Sequence, residues 1–189
     1  MKIITISGLD GSGKSTQIEF LKKYLESQGK SFYYFHAVQF SIFNRILNKK
    51  KRNSGVEKSA TQANWFQIQL RKISLLVDIC RFKKLVKKID ADYIISDRYF
   101  YDSVVNINFL SRNNKTLFAE KFIPRPDLAI YLKVNPEKIM QRERKPDQGL
   151  EYLIKKQELY EDKSKYWDIM VIDGEAAKEE IFKVLKSKI

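Results

Sequence analysis

The chain has 189 residues, of which 43% are hydrophobic, enough for one domain whose core needs neither disulfides nor a structural metal. Its single cysteine, Cys80, excludes an intramolecular disulfide, and the sequence offers no histidine or cysteine cluster for a zinc site. The formal charge of +13 comes mostly from dispersed lysines, with the densest basic run in a predicted loop at 49–52, so it indicates a solvated surface rather than a nucleic-acid partner. With no leader or apolar segment of membrane-spanning length, the sequence favours a cytoplasmic protein with no membrane partner.

Five short apolar runs predict β-strands, and helical patterns separate them along the chain. This alternation predicts an α/β fold with a five-stranded parallel sheet and helices on both faces. Ligands of such sheets bind at the carboxyl ends of the strands, so the chemistry is expected there. The predicted strands are 2–7, 31–35, 92–96, 128–134 and 169–172.

The segment between the first strand and the first helix, residues 8–16, matches the phosphate-binding pattern G-x-x-x-x-G-K-[ST]. Its small residues let backbone N–H groups and a helix N-terminus face a polyphosphate, while Lys14 supplies charge and Ser15 offers a hydroxyl to Mg²⁺. The segment predicts a nucleotide-binding protein. The expected ATP-binding residues are Gly8, Asp10, Gly11, Ser12, Gly13, Lys14, Ser15 and Thr16.

The longest helical pattern spans about 61–89. Apolar residues recur at spacings of three and four, which predicts one buried face and places Cys80 in the core rather than at a reactive site. The residues of this pattern are Phe66, Leu70, Ile73, Val77 and Cys80.

The third predicted strand ends in Asp97-Arg98-Tyr99, at the sheet edge beside the phosphate loop. A carboxylate here can hold Mg²⁺ together with Ser15, and an arginine beside it can grip a second phosphate through its planar fork. The alternative is a structural ion pair at the start of the next helix. The phosphate loop nearby favours the functional interpretation.

A basic segment, residues 141–147, follows the fourth strand and contains Arg142, Arg144 and Lys145. Closure of such a segment over the transferred phosphoryl group would exclude water and stabilise its negative charge. Arg142 and Arg144 are therefore predicted to be catalytic. The alternative is a solvated basic loop.

Together these motifs resemble the thymidylate kinase family of P-loop nucleoside monophosphate kinases, over nearly the whole chain. The resemblance implies a P-loop kinase fold in a single domain, 1–189, with a short lid at about 141–150, ATP as phosphoryl donor, Mg²⁺ as cofactor and dTMP as acceptor. It further implies that Asp10 faces the acceptor sugar and that Arg98 holds the acceptor phosphate. A homodimer is a further implication. The catalytic set is Lys14, Arg98, Arg142 and Arg144.

The acceptor side departs from the family pattern. An Ala-Tyr-Gln segment usual in the family is replaced by Val105-Asn106-Ile107, and the family's base-reading arginine on the long helix falls near Leu76 or Val77. Neither can donate a hydrogen bond from its side chain, so the register shifts toward Arg81 or Arg71, or the base is read differently. The predicted acceptor-binding residues are Asp10, Phe66, Gln67, Arg71, Arg98 and Ser103.

Two alternatives remain open. Phe66-Gln67 precede Asp97-Arg98 by an interval that resembles the deoxyribonucleoside kinases, although residues 35–43 contain no acid to serve as their general base. The altered acceptor segments are also compatible with a nucleotide-binding protein whose acceptor site has degraded. Retention of Lys14, Ser15, Asp97 and Arg98 argues against that second alternative.

Overall fold

The structure is a computed structural model that describes residues 1–45, 63–143 and 145–189. Its five parallel strands form one sheet in the order β2-β3-β1-β4-β5, which confirms the predicted sheet. Each strand lies within one residue of its prediction at both ends. The basic run 49–52, the beginning of the predicted long helix and Arg144 lie outside the described residues. The strands are β1 (Lys2–Gly8), β2 (Phe32–His36), β3 (Tyr93–Asp97), β4 (Leu128–Lys133) and β5 (Met170–Asp173).

Helices cover both faces of the sheet, because the strands carry apolar side chains on both faces and these must be buried. One core contains Ile79, Phe82, Val104 and Leu153 and lies under α3, α4 and α6, whereas α1 and α7 cover the other face. A 3₁₀-helix (Phe118–Phe122) precedes β4. The α-helices are α1 (Lys14–Ser27), α2 (Ala37–Phe40), α3 (Trp65–Val86), α4 (Phe100–Ser111), α5 (Pro136–Met140), α6 (Leu150–Trp167) and α7 (Lys178–Lys186).

The long helix α3 buries a different face from the predicted one. Its buried apolar residues are Ile68, Leu75, Ile79 and Phe82, whereas the predicted stripe is exposed to solvent, including Cys80. The prediction that Cys80 lies in the core is therefore wrong. The helix carries two apolar faces, and spacing alone does not tell which of them meets the sheet. We call the exposed set, Phe66, Leu70, Ile73, Val77 and Cys80, the apolar stripe of α3.

The strand order brings the predicted functional segments to one edge of the sheet. β3 lies beside β1, with Asp97 in register with Ile6, and β2 lies beside β3, with His36 in register with Asp97. The phosphate loop, Arg98 and the end of β2 therefore meet at the carboxyl ends of three adjacent strands. Among the described residues, no helix combines the length and apolar character that crossing a membrane requires.

Candidate active site

The phosphate loop connects β1 to α1 through backbone conformations that suit glycine. Gly11 and Gly13 have φ values of 84° and 94°, and Gly13 immediately precedes α1 without a side-chain cap on the helix. The first-turn N–H groups of a helix have no partner within the helix, so an uncapped start leaves donors for an anion. The loop has the form of a phosphate cradle.

Gly8 must stay small because the loop folds tightly over the end of β1. A Cβ atom on Gly8 would lie 2.7 Å from the Ser12 Oγ and 2.9 Å from the Leu132 carbonyl oxygen. Both distances are too short for a carbon–oxygen contact, so a neighbouring atom would have to move. The Leu132 oxygen belongs to the backbone of β4 and cannot move easily. The close approach fixes the loop against the sheet.

Lys14 is buried in the loop, and its ammonium group donates to the carbonyl oxygens of Gly8 (3.1 Å) and Leu9 (2.7 Å). Burial and the nearby Arg98 charge together lower the pKa of Lys14 to about 8, although Asp10 opposes both effects. No carboxylate in the described part of the chain forms a salt bridge with this lysine. Its charge is thus available to an anion in the loop.

Arg98 is the centre of an ion network at the end of β3. Its guanidinium contacts the carboxylates of Asp10 and Asp102, the latter at 3.3 Å between Nη1 and Oδ1. The residue has φ 62°, a left-handed conformation uncommon for a non-glycine residue, and its N–H is held by the carbonyl of Ile6 at 3.0 Å. Such strain persists where surrounding contacts impose it, which is frequent at functional sites.

Asp102 orients Arg98 through the contact between its carboxylate and the guanidinium. Its carboxylate is buried and accepts hydrogen bonds from the Ser7 hydroxyl (2.5 Å), the Tyr99 N–H (2.7 Å) and the Tyr160 hydroxyl (2.6 Å). Although burial alone would lower the pKa of Arg98, Asp102 and Asp10 raise it above the ordinary value. Arg98 therefore stays charged at the mouth of the loop.

Asp97 and Ser15 offer oxygen atoms on the other side of the loop. The Asp97 Oδ2 atom accepts a hydrogen bond from the Tyr34 hydroxyl (3.1 Å) and lies 4.0 Å from the His36 Nε2 atom. Ser15 is exposed at the first turn of α1. A carboxylate and a hydroxyl are hard oxygen donors of the kind Mg²⁺ prefers, and Mg²⁺ usually takes few protein ligands and completes its shell with water and phosphate. This donor set fits Mg²⁺, and no larger group of metal-ligating side chains occurs in the described ranges.

A cavity of about 480 Å³ opens beside the loop, large enough for a nucleotide. It brings together four of the predicted acceptor-binding residues, Asp10, Arg71, Arg98 and Ser103. Helix α4 supplies Ser103, and α3 supplies Arg71. We call this space the central cavity.

Arg71 is a cation that lines the central cavity. Its guanidinium carbon lies 4.2 Å from the centre of the Phe43 ring, and its buried Nε atom has no hydrogen-bond partner among the residues described. Burial lowers the pKa of Arg71, but an arginine with this shift is still charged. A donor left unpaired in a cavity is suited to a ligand acceptor atom.

The structure does not bring Phe66 and Gln67 to the central cavity. The Phe66 side chain is 62% exposed, and Gln67 forms a capping box with Asn64 at the start of α3. The Gln67 N–H donates to the Asn64 Oδ1 atom at 2.9 Å, and the Gln67 Oε1 atom accepts from the Asn64 N–H at 3.3 Å. The glutamine amide is used to start the helix rather than to read a base.

Asp78 and Arg81 are occupied by each other, although Asp78 borders the cavity. Arg81 donates to the Asp78 carboxylate at 2.7 Å and to the Phe40 carbonyl at 3.0 Å, and Asp78 also accepts from the Ile42 N–H. The pair fastens the segment after α2 to α3. Of the polar long-helix residues considered for the base, Arg71 is the one with an unpaired donor facing the cavity.

Arg142 is the predicted lid arginine that lies within the described residues. Arg142 donates to the carbonyl oxygen of Gly11, so this side chain reaches the phosphate loop from the far side. Glu151, at the start of α6, pairs with Lys155 on the surface. Arg144 lies outside the described residues.

Lys156 and Asp102 are cavity residues that the sequence did not single out. Asp102 follows Arg98 by four residues, the spacing of a helical ion pair, which was an available signal. Lys156 lies on a row of α6 with Tyr152 and Tyr160. The spacing of four residues could therefore have indicated that this lysine lies on the buried face of the helix.

The comparisons with known proteins agree with this geometry. The family model described as thymidylate kinase matches residues 6–184. A protein of Saccharolobus solfataricus described as "Probable thymidylate kinase 1" is 27% identical over 186 residues, covering 95% of this chain and 92% of that protein. A thymidylate kinase of Francisella tularensis subsp. holarctica is 28% identical over 190 residues, covering 94% and 88%. The thymidylate kinase structure from Candida albicans covers 98% of this chain and 91% of its own, with a TM-score of 0.65 at 18% identity.

The parallel sheet, the phosphate loop and the cavity beside it define a P-loop nucleoside monophosphate kinase. Because the family model spans nearly the whole sequence, the chain belongs to the thymidylate kinase family.

Proposed function

We propose that the protein transfers the γ-phosphoryl group of ATP to dTMP, forming dTDP and ADP. The observation that carries the proposal is the position of Arg98, which lies between the phosphate loop and the central cavity. A phosphate held by Arg98 would face a triphosphate held by the loop. The relatives described as thymidylate kinases support dTMP as the acceptor.

The donor half of the reaction uses the phosphate loop. Gly8, Asp10, Gly11, Ser12, Gly13, Ser15 and Thr16 form or flank the cradle, and the backbone donors with the uncapped start of α1 bind the ATP phosphates. Lys14 neutralises the transferred group by exchanging its carbonyl contacts for phosphate oxygens. Arg142, already at Gly11, supplies charge from the lid. We assign the same role to Arg144 and the lid to about 141–150 of a single domain.

The acceptor half uses the central cavity. Arg98 aligns the acceptor phosphate, Asp10 accepts from the sugar, and Ser103 and Arg71 contact the rest of the nucleotide. A phosphate oxygen of dTMP forms a bond to the γ-phosphorus while the bond to the bridging oxygen breaks, and the electron pair stays on ADP. Since the attacking oxygen is ionised at neutral pH, no side chain has to take a proton, and positioning dominates the rate.

Mg²⁺ would be held by Ser15 and Asp97. When bound, the ion neutralises charge on the donor phosphates. The Tyr34 hydroxyl and the ring of His36 keep the Asp97 carboxylate at the sheet edge. We place the enzyme in the cytoplasm, where both nucleotides are available.

The proposal is tested by following ADP with ATP and Mg²⁺ over a panel of nucleoside monophosphates and the matching nucleosides. We expect turnover with dTMP above the rate with water alone. Turnover restricted to unphosphorylated nucleosides would instead identify a nucleoside kinase. Binding of ATP without turnover of any acceptor would identify a protein with a degraded acceptor site.

We further propose that the apolar stripe of α3 is the interface of a homodimer. Four of its members, Phe66, Leu70, Ile73 and Val77, are between 39% and 62% exposed, and they run along a single helix face. Exposed Phe118 and Phe122 of the neighbouring 3₁₀-helix, which contacts α3, extend the apolar area. A second copy fits because two such stripes related by a twofold axis cover each other.

Replacing Ile73 by Lys is expected to convert the dimer to a monomer, because the ammonium would be buried against a second apolar helix. Light scattering coupled to size exclusion measures the mass directly. Lys72→Met, on the same helix turn but outside the stripe, is the matched control and should leave the dimer intact. A wild-type protein that is monomeric at high micromolar concentration would contradict the interface.

A further inference from the structure

The most unusual charge in the central cavity is Lys156. The residue lies on α6, lines the cavity and is only 8% exposed. Its ammonium nitrogen lies 4.7 Å from the centre of the Tyr152 ring, and it forms neither a salt bridge nor a hydrogen bond with any residue that the structure describes. An ammonium group buried without a carboxylate partner destabilises the fold.

The other charges of the cavity do not neutralise it. Arg98 contacts the carboxylates of both Asp10 and Asp102, so these acids are engaged by the guanidinium. Asp78 is engaged by Arg81 in the same way. Lys156 and Arg71 therefore remain as positive charges facing the cavity without an ion-pair partner in the described ranges.

Lys156 lies toward the Arg98 end of the cavity, because Tyr160, one turn later on the same row of α6, donates to the Asp102 carboxylate (2.6 Å), which contacts Arg98. Burial and the Arg98 charge together lower the pKa of Lys156 to about 8, although Asp10 and Asp102 oppose the change. The charge of Arg71 also lowers the pKa of Lys156, but less than the charge of Arg98 does. The lysine thus lies among the groups that surround the acceptor phosphate in the proposed function.

We propose that Lys156 is a second cation for the acceptor's phosphate, and that it makes the cavity select a phosphorylated nucleoside over an unphosphorylated one. The proposal rests on the proposed function and names a residue that determines acceptor specificity. The bound phosphate supplies the anionic partner that the free protein lacks. The cost of the buried charge is then offset only in the complex, as happens at sites where function opposes stability.

The test compares Lys156→Met with the wild type by calorimetric titration of dTMP and of thymidine. Methionine keeps the length and the packing on Tyr152 but removes the charge. We expect the Kd of dTMP to rise about 10- to 100-fold, since a hydrogen bond to a charged group is lost, while the Kd of thymidine changes less than about twofold. Lys155→Met is the matched control because Lys155 is 57% exposed and pairs with Glu151 on the surface, so dTMP binding should not change.

Thermal unfolding separates this role from a structural one. Lys156→Met should unfold at a temperature at least as high as the wild type, because the unpaired charge has gone. A lower unfolding temperature with equal losses for dTMP and thymidine would overturn the inference. If the wild type phosphorylates dTMP but Lys156→Met binds dTMP with unchanged affinity, the inference about Lys156 is overturned and the proposed function stands. A wild type that phosphorylates no nucleoside monophosphate would overturn both.

Discussion

Replacing Lys14 by Met is expected to lower kcat by about 10³-fold, because no other buried cation of the described loop can reach the transferred phosphoryl group. The ammonium is held at the mouth of the loop by two carbonyl oxygens, so it is positioned before the nucleotide arrives. A pre-positioned charge needs no reorganisation at the moment of transfer. Steady-state kinetics with saturating ATP and dTMP measures the loss.

The fold should survive this substitution. The methionine side chain fills the same space, and the removed charge has no carboxylate partner in the described structure. Lys23→Met, on the exposed side of the same helix, is the control and should keep wild-type turnover. Turnover of Lys14→Met within a factor of about three of the wild type would contradict the assignment of the loop.

Replacing Arg98 by Met is expected to lower kcat/KM for the acceptor by about 10³-fold, while the Kd of ATP changes little. Arg98 is the fork that reaches from β3 toward the cavity, and its loss leaves the acceptor phosphate unaligned for in-line attack. Arg98→Lys keeps the charge without the planar fork and should recover only part of the activity. ATP binding measured by titration separates the two half-sites.

A measurement of thermal unfolding shows whether Arg98→Met loses activity through misfolding, and we expect the variant to remain folded. Without Arg98, Asp102 loses its ion-pair partner but keeps its hydrogen bonds from Ser7, Tyr99 and Tyr160, which still stabilise the buried carboxylate. Arg125→Met, an exposed position before β4, is the control. A variant that loses ATP binding and dTMP turnover in equal measure would contradict a role confined to the acceptor.

The strands and the phosphate loop could be predicted from the sequence because their signals are local. An apolar run of strand length with turn residues at its ends sets β1 and β3 to within one residue. The spacing of Gly8, Gly13 and Lys14 is fixed by the shape of a phosphate, so it leaves the same pattern wherever it occurs. The order of the strands, β2-β3-β1-β4-β5, could not be predicted in the same way, because right-handed crossovers allow several orders of five parallel strands.

The buried face of α3 and the contents of the cavity depend on tertiary contacts. Two apolar faces on one helix compete for the core, which buries Leu75 and Ile79, while Phe66 and Cys80 remain exposed. From the sequence, Gln67 could be either a base-binding amide or a capping residue. The structure shows that it forms a capping box with Asn64. The burial of Lys156 without a partner cannot be inferred from its neighbours in sequence, because the acids around it come from the loop and from α4.

In the proposed reaction the loop and the cavity hold two nucleotides so that a phosphoryl group passes directly between them. The most direct measurement incubates the protein with Mg²⁺, dTMP and ATP labelled at the γ-phosphorus, and separates the products. We expect the label to appear in dTDP in an amount equal to the ADP formed. Label found only in inorganic phosphate, at a rate that dTMP does not change, would contradict it.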